Sequence, residues 1–213
     1  ALAATSKVRQ TPVIALMALS VHSLNGSRPN VAGIGMFVQP ERYMNIFKGM
    51  KARRIGVIHN PAKSGWYLRQ AQQSAHQAGI ELIVRTVQGP RDTLNQLESL
   101  AGKVEALWML PDTTAVTRDT AEAYFRFSQE QRIPVISFAA AYLGLGAAAV
   151  VEIDRVELGR QASDLVIGFL TGKDSGASFD YPQKTLIKAN QSVLKHLGIH
   201  TRHLDLSSFE HGS

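Results

Sequence analysis

Three stretches in the middle of the chain place polar or aromatic groups directly after short apolar runs: Asn60 to Trp66, Asp112-Thr113-Thr114, and Ala139 to Tyr142. In the first, Asn60, Ser64, Gly65 and Trp66 lead into a helix. Free N–H groups and the macrodipole at such a point favour a carboxylate or another anion. The second stretch offers one carboxylate and two hydroxyls, and Asp112 can hold an ammonium. The third offers the small residues Ala139 and Ala140, then Tyr142, an aromatic able to wall an apolar side chain. Each group also has a plainer use. Ser64 and Asp112 serve as helix caps, which does not exclude ligand contact. Trp66 and Tyr142 serve packing as well as stacking. Asp154 completes the set of candidate ligand contacts, and is a hinge or cap residue first.

Other chemistries lack their context. Gly144-x-Gly146-x-x-Ala149 has the spacing of a dinucleotide fingerprint, but Val150 to Ile153 reads as a strand where that motif needs a helix. Gly172-Lys173 lacks the upstream glycine of a phosphate-binding loop. His196, His200 and His203 have ligand-like spacing, yet Gly198 interrupts the helix between the first two, so a solvated tail is the better reading. No carboxylate pair, nucleophile–base set or Cys/His cluster is present. The expectation is a chain with no cofactor and no metal that is not an enzyme.

The elements that must position these groups alternate. Ile55–His59, Leu82–Val87, Ala106–Leu110, Pro134–Phe138 and Ala148–Ile153 read as strands, near-continuously apolar as in a parallel sheet buried on both faces. Between them, helical spacing predicts helices over 64–78, closed by Gly79, over 92–102 with Leu94, Leu97, Leu100 and Ala101 on one face, and over 114–131. Repeated strand–helix units imply a doubly wound α/β lobe. Before residue 52 only Pro12–Leu16 and Val31–Gly35 read as strands. After Asp154 comes an amphipathic helix with a capping-box pattern, Asp154 and Glu157, an apolar face of Leu158, Ala162, Leu165, Val166 and Phe169, and a stop at Gly172. A strand Thr185–Lys188 and a short helix ending at Gly198 follow. The simplest assembly puts 52–153 in one complete lobe and lets 1–51 and 154–213 share another, with hinges near 50–54 and Asp154.

Bulk properties agree with a globular protein. The 213 residues are 45% hydrophobic, with no cysteine and a formal net charge of +6. Without cysteine there is no disulfide scaffold and no thiolate metal site. The basic residues are scattered rather than striped among aromatics, which argues against nucleic acid as a partner. No apolar stretch is long enough to span a bilayer. The opening Ala1-Leu2-Ala3 has the small-residue look of a processed end and equally fits an arbitrary cut, and no intact signal peptide is visible within the sequence.

Taken in order, Arg53-Arg54-Ile-Gly-Val-Ile-His-Asn60-Pro61, Ala106-Leu-Trp-Met-Leu-Pro111-Asp112, Ile133-Pro134 through Tyr142 with Gly144 and Gly146, Glu157-Leu-Gly-Arg-Gln161, and Ala189-Asn190 with Leu197-Gly198-Ile199 resemble the periplasmic substrate-binding proteins of ABC transporters, in a branch once described as a domain of unknown function. The resemblance covers nearly the whole chain. It implies a two-lobed fold of the type I periplasmic-binding-protein kind, each lobe a mostly parallel sheet flanked by helices. It also implies capture of an amino-acid-like small molecule in an inter-lobe cleft, a periplasmic location and an ABC permease as partner. Two departures stand out. The family's opening strand–helix units have no counterpart, so lobe one reads as incomplete. Where many members carry Asp-Pro after the first strand present here, this chain has Val21-His22.

The leading expectation is therefore a solute-binding component of an uptake system. The alternative is a sensor or interaction protein that kept the fold, signals through a membrane partner, or forms a homodimer through an exposed edge of lobe one. An enzyme on the same fold is the least supported reading, because fold does not dictate function.

Overall fold

The structure, a computed structural model, describes residues 8–9, 11–19, 30–172 and 179–200. The chain divides into two compact units, one of residues 1–39 and 153–185, the other of residues 40–152 and 186–213. Val21-His22, Lys173 and His203 lie outside the described residues.

The smaller unit carries β1 (Val13–Ala18), β2 (Val31–Gly35) and β8 (Phe179–Asp180) in the order β1-β2-β8, all parallel. β2 is buried along its whole length, which explains its unbroken apolar character. Helix α5 (Arg155–Thr171) packs Leu158, Ala162 and Leu165 against Ile34. Val166, expected on that apolar face, is instead exposed. Gly172 ends the helix at φ 69, donating to the carbonyls of Gly168 and Phe169.

The larger unit holds a six-stranded sheet in the order β4-β3-β5-β6-β7-β9. Its strands are β3 (Arg54–His59), β4 (Glu81–Thr86), β5 (Ala106–Trp108), β6 (Val135–Ser137), β7 (Ala149–Ile153) and β9 (Thr185–Ala189). Pairings β3–β4, β3–β5, β5–β6 and β6–β7 are parallel. Connecting helices are α2 (Pro61–Ala78), α3 (Asp92–Glu98) and α4 (Arg118–Gln131), and α6 (Gln191–His196) follows β9. The core runs from Ile58 through Leu100, Leu107, Met109, Phe125 and Val135 to Val150.

Three differences from the sequence expectations have local causes. Pro40–Gly49 forms a helix, α1, which was not anticipated. Its buried Tyr43 and Phe47 pack on Trp108, with ring centroids 4.8 and 6.1 Å away, so α1 groups with the larger sheet rather than with residues 1–39. α3 stops at Glu98 rather than at Gly102, and Leu94 is exposed. α4 begins at Arg118 rather than at Thr114, because residues 112–117 form a turn around the Asp112 side chain.

Candidate functional site

In a parallel sheet the loops at the carboxyl ends of the strands gather on one edge. A crevice opens where neighbouring connections depart in opposite directions. Here the chain leaves β3 toward β4 on one side and then crosses back to β5 on the other. The switch point therefore lies between the end of β3, at His59-Asn60, and the end of β5, at Met109 to Asp112.

Asp112 fills that point. The residue is 2% exposed. Oδ2 accepts from the Asn60 N–H at 2.8 Å and from the Ser64 hydroxyl at 2.6 Å, and Oδ1 accepts from the N–H groups of Thr114 at 2.9 Å and Ala115 at 3.1 Å. Asp112 thus ties the loop after β3 to the loop after β5. With its oxygens engaged by four protein donors, it positions other groups rather than meeting a ligand ammonium.

The start of α2 differs from its expected role in a related way. Asn60 is the N-cap, its Oδ1 accepting from the Ala62 N–H, and Pro61 has no N–H to offer. Lys63 and Ser64 donate to the Asn60 carbonyl. The N–H groups of this first turn are therefore spent, and what remains for an anion is the helix dipole alone. Ser64 and Gly65 are buried, and Trp66 is half-buried, edge-on to Tyr67 at 5.6 Å.

His59, which sequence reasoning treated only as the end of a strand, joins this cluster. Its Nδ1 lies 3.3 Å from the Ser64 hydroxyl. Burial holds the imidazole below its ordinary range, and the Asp112 charge opposes that shift. The three residue types are those of a hydrolytic triad, but the order is not. The serine stands between histidine and carboxylate, donates to the carboxylate, and is wholly buried. A nucleophile needs the histidine as its base and an open face toward substrate.

The third stretch lies beyond β6 on the same edge. Ala140 to Tyr142 form a 3-10 turn, with Ala139 extended before it. Glu152, at the end of β7, accepts the Ala140 N–H at 2.8 Å and pairs with Lys188 at 2.9 Å. Asn190 donates its side-chain N–H to the Leu143 carbonyl at 3.0 Å. A charged residue inside the apolar run Ala149–Ile153 was the signal available for Glu152. Tyr142 is half-buried against Phe138 and Phe125, with centroids at 5.4 and 6.0 Å, and burial raises its phenol pKa. Behind it, Tyr124 is fully buried with its hydroxyl unpartnered, and burial followed by the nearby Asp112 raises its pKa. Thr113 is exposed and Thr114 half-buried.

The predicted site residues from Asn60 to Tyr142 thus lie on one edge of one sheet. Asp154 does not join them: it belongs to the smaller unit as the N-cap of α5, accepting from Val156 and Glu157 and pairing with Lys184 at 3.4 Å. Among the described residues no group of three His, Cys, Asp or Glu side chains is disposed to hold a metal. No described helix is long and apolar enough to cross a membrane.

Solved structures share this fold. The ABC domain in complex with L-Trp from Streptococcus pneumonia superposes with a TM-score of 0.72 at 19% identity, covering 96% of this chain and 72% of that one. The ligand-free, open structure of a substrate binding protein with adhesive properties from Clostridium difficile gives 0.68 at 21% identity, covering 99% and 75%. At these identities the likeness establishes the fold. The sequence model of the family described as ABC transporter substrate binding protein matches residues 1–208, and the chain belongs to that family. A curated relative, the tyrosine-binding protein of Clostridioides difficile (strain R20291), is 28% identical over 185 residues, which are 83% of this chain and 52% of that protein. The chain spans about half the length of this relative.

Proposed function

We propose that this protein is a non-catalytic solute binder that takes an aromatic amino acid on the carboxyl-end loops of its larger sheet, outside the cytoplasmic membrane, and hands it to an ABC permease. The observation that carries this reading is the Asp112 clamp, which fixes two of the three loops at the switch point of the sheet. On that scaffold the rings of Trp66 and Tyr142 supply apolar walls, and the hydroxyls of Thr113 and Thr114 supply polar contacts for the ligand head. Asn60, Ser64 and Gly65 shape the loop beneath them, and Ala139 and Ala140 keep the turn small. Family membership and the amino acids named for two relatives, tyrosine and L-Trp, support the ligand class.

Calorimetric titration of the chain with L-tyrosine, L-tryptophan, L-leucine and L-glutamate tests it. Saturable binding of the aromatic amino acids is expected, weakened by up to about tenfold in Trp66→Ala, because an aromatic contact contributes about 0.5–1.5 kcal/mol. A folded chain that binds none of the four overturns the reading.

A further inference from the structure

The larger unit has a concavity with a cationic rim, at the opposite edge of the sheet from the candidate site. A cavity of 370 Å³ opens between the end of α1, the turn into β3 and the end of α2. Lys48, Lys51 and Arg53 line it together with Ala52, Ala78 and Ile80, and no acidic residue does. Its volume falls in the range of small-molecule sites, roughly 300–1,000 Å³.

The backbone that carries one of the three cations is pinned by a carboxylate. Glu105 accepts the N–H groups of both Arg53 and Arg54, at 2.7 and 3.1 Å, and so fixes the backbone that carries Arg53. The same carboxylate neutralises the Arg54 side chain at 3.3 Å. Arg54 does not line the cavity. Lys48, Lys51 and Arg53 do, and among the described residues their side chains have no ion-pair or hydrogen-bond partner. Lys51 also sits at φ 60, a left-handed conformation that glycine enters freely and a lysine does not. Lys48 stands in the last turn of α1, where a cation also complements the helix dipole, whereas Lys51 and Arg53 lie beyond the helix end. The carbonyls of Ile46, Phe47 and Lys48 already accept the N–H groups of Met50, Ala52 and Lys51.

We propose that this cavity is an anion site for a phosphate-bearing group carrying at least two negative charges. Three like charges around one small volume repel one another, and a multivalent anion in their midst reverses the sign of that energy. The group can come from a soluble phosphate compound or from the headgroup of an anionic lipid.

The test uses inorganic pyrophosphate as the probe, with calorimetry at low ionic strength on the full chain and on Lys48→Gln, Lys51→Gly and Arg53→Gln. Saturable binding is expected in the wild type, about tenfold weaker for each cation removed and weakened further by added salt. Lys51→Gly separates the site from the fold, because it relieves the left-handed strain and removes a cation together. It is expected to melt higher while binding pyrophosphate more weakly. Co-sedimentation with vesicles of phosphatidylglycerol in phosphatidylcholine, against pure phosphatidylcholine, identifies the source. Retention on the anionic vesicles that pyrophosphate displaces points to a lipid headgroup, and pyrophosphate binding without retention points to a soluble ligand. Absence of pyrophosphate binding, or binding equal in all four proteins, overturns the proposal.

Discussion

Asp112 shows how much a single buried carboxylate organises. It is the acceptor for two loops that start 52 residues apart, so its removal leaves the N–H groups of Asn60 and Ala115 buried without their acceptor, while the Ser64 hydroxyl keeps His59 Nδ1 at 3.3 Å. Each donor stranded in that way costs about 1–3 kcal/mol. Asp112→Ala is therefore expected to lower the urea unfolding free energy by more than Ser64→Ala, which loses one hydroxyl and costs about 1–2 kcal/mol. Equal effects would mean that the carboxylate does not join the loops. His59 adds a pH dependence whose sign follows from its environment. Burial lowers its folded-state pKa, so as pH falls the unfolded chain takes up a proton before the folded one does. Stability is then level above about pH 7, declines as pH drops below the unfolded value of about 6.5, and carries the whole penalty once pH is below the folded value. Replacement by glutamine is expected to flatten the urea midpoint between about pH 7.5 and 5.5. Glu105 and Asp154, whose folded pKa values are depressed, lose their contributions in a more acidic window. Sequence could mark Asp112 as a polar residue after an apolar run. It could not show that all of its lone pairs are claimed inside the protein, because the partners are remote in the chain.

At the scale of elements, strands were legible wherever burial on both faces made a run continuously apolar, as at residues 55–58 of β3 and 149–151 of β7. Helix ends were legible where glycine takes a left-handed stop, as at Gly79 and Gly172. Misreadings fell where a side chain outcompetes periodicity. Thr114 to Thr117 has an amphipathic look but is bent around Asp112, and the helix waits for Thr117, whose side chain accepts from the Thr120 N–H in a reciprocal capping box. α1 carried the signals that would have revealed it: Pro40 in the first turn, Tyr43, Met44, Ile46 and Phe47 at helical spacing, and Lys48 in the last turn. β8, only two residues long, offered no periodicity to read. The two ends of α4 give opposite expectations. Thr117→Ala removes the cap and is expected to destabilise by about 1 kcal/mol. At the other end Arg132 stands at φ 53 where glycine is favoured, so Arg132→Gly is expected to stabilise by about 1 kcal/mol. Thermal melts of the two variants check both signs.

For the whole molecule, the decisive feature is that the two units, among the described residues, bury unequal amounts of apolar side chain. The larger unit buries a continuous apolar cluster from Ile58 to Val150, whereas the smaller buries Ala15, Val31, Ala32, Ile34, Phe37, Val38, Leu158, Ala162 and Leu165. Less apolar area removed from water means less to offset the conformational entropy of ordering a segment. Chains with two such units depart from all-or-none unfolding. Both tryptophans, Trp66 and Trp108, lie in the larger unit, so their fluorescence follows that unit, while far-UV circular dichroism follows both. The urea midpoint by dichroism is therefore expected below the midpoint by fluorescence. On the proposed reading, an amino acid held on the loops around Asp112 stabilises the folded larger unit, by RT ln(1 + [L]/Kd). Adding it is expected to raise the fluorescence midpoint and widen the gap between the two probes. Coincident transitions without ligand would show that the units unfold as one, and a ligand that moved only the dichroism midpoint would place binding away from the Asp112 loops.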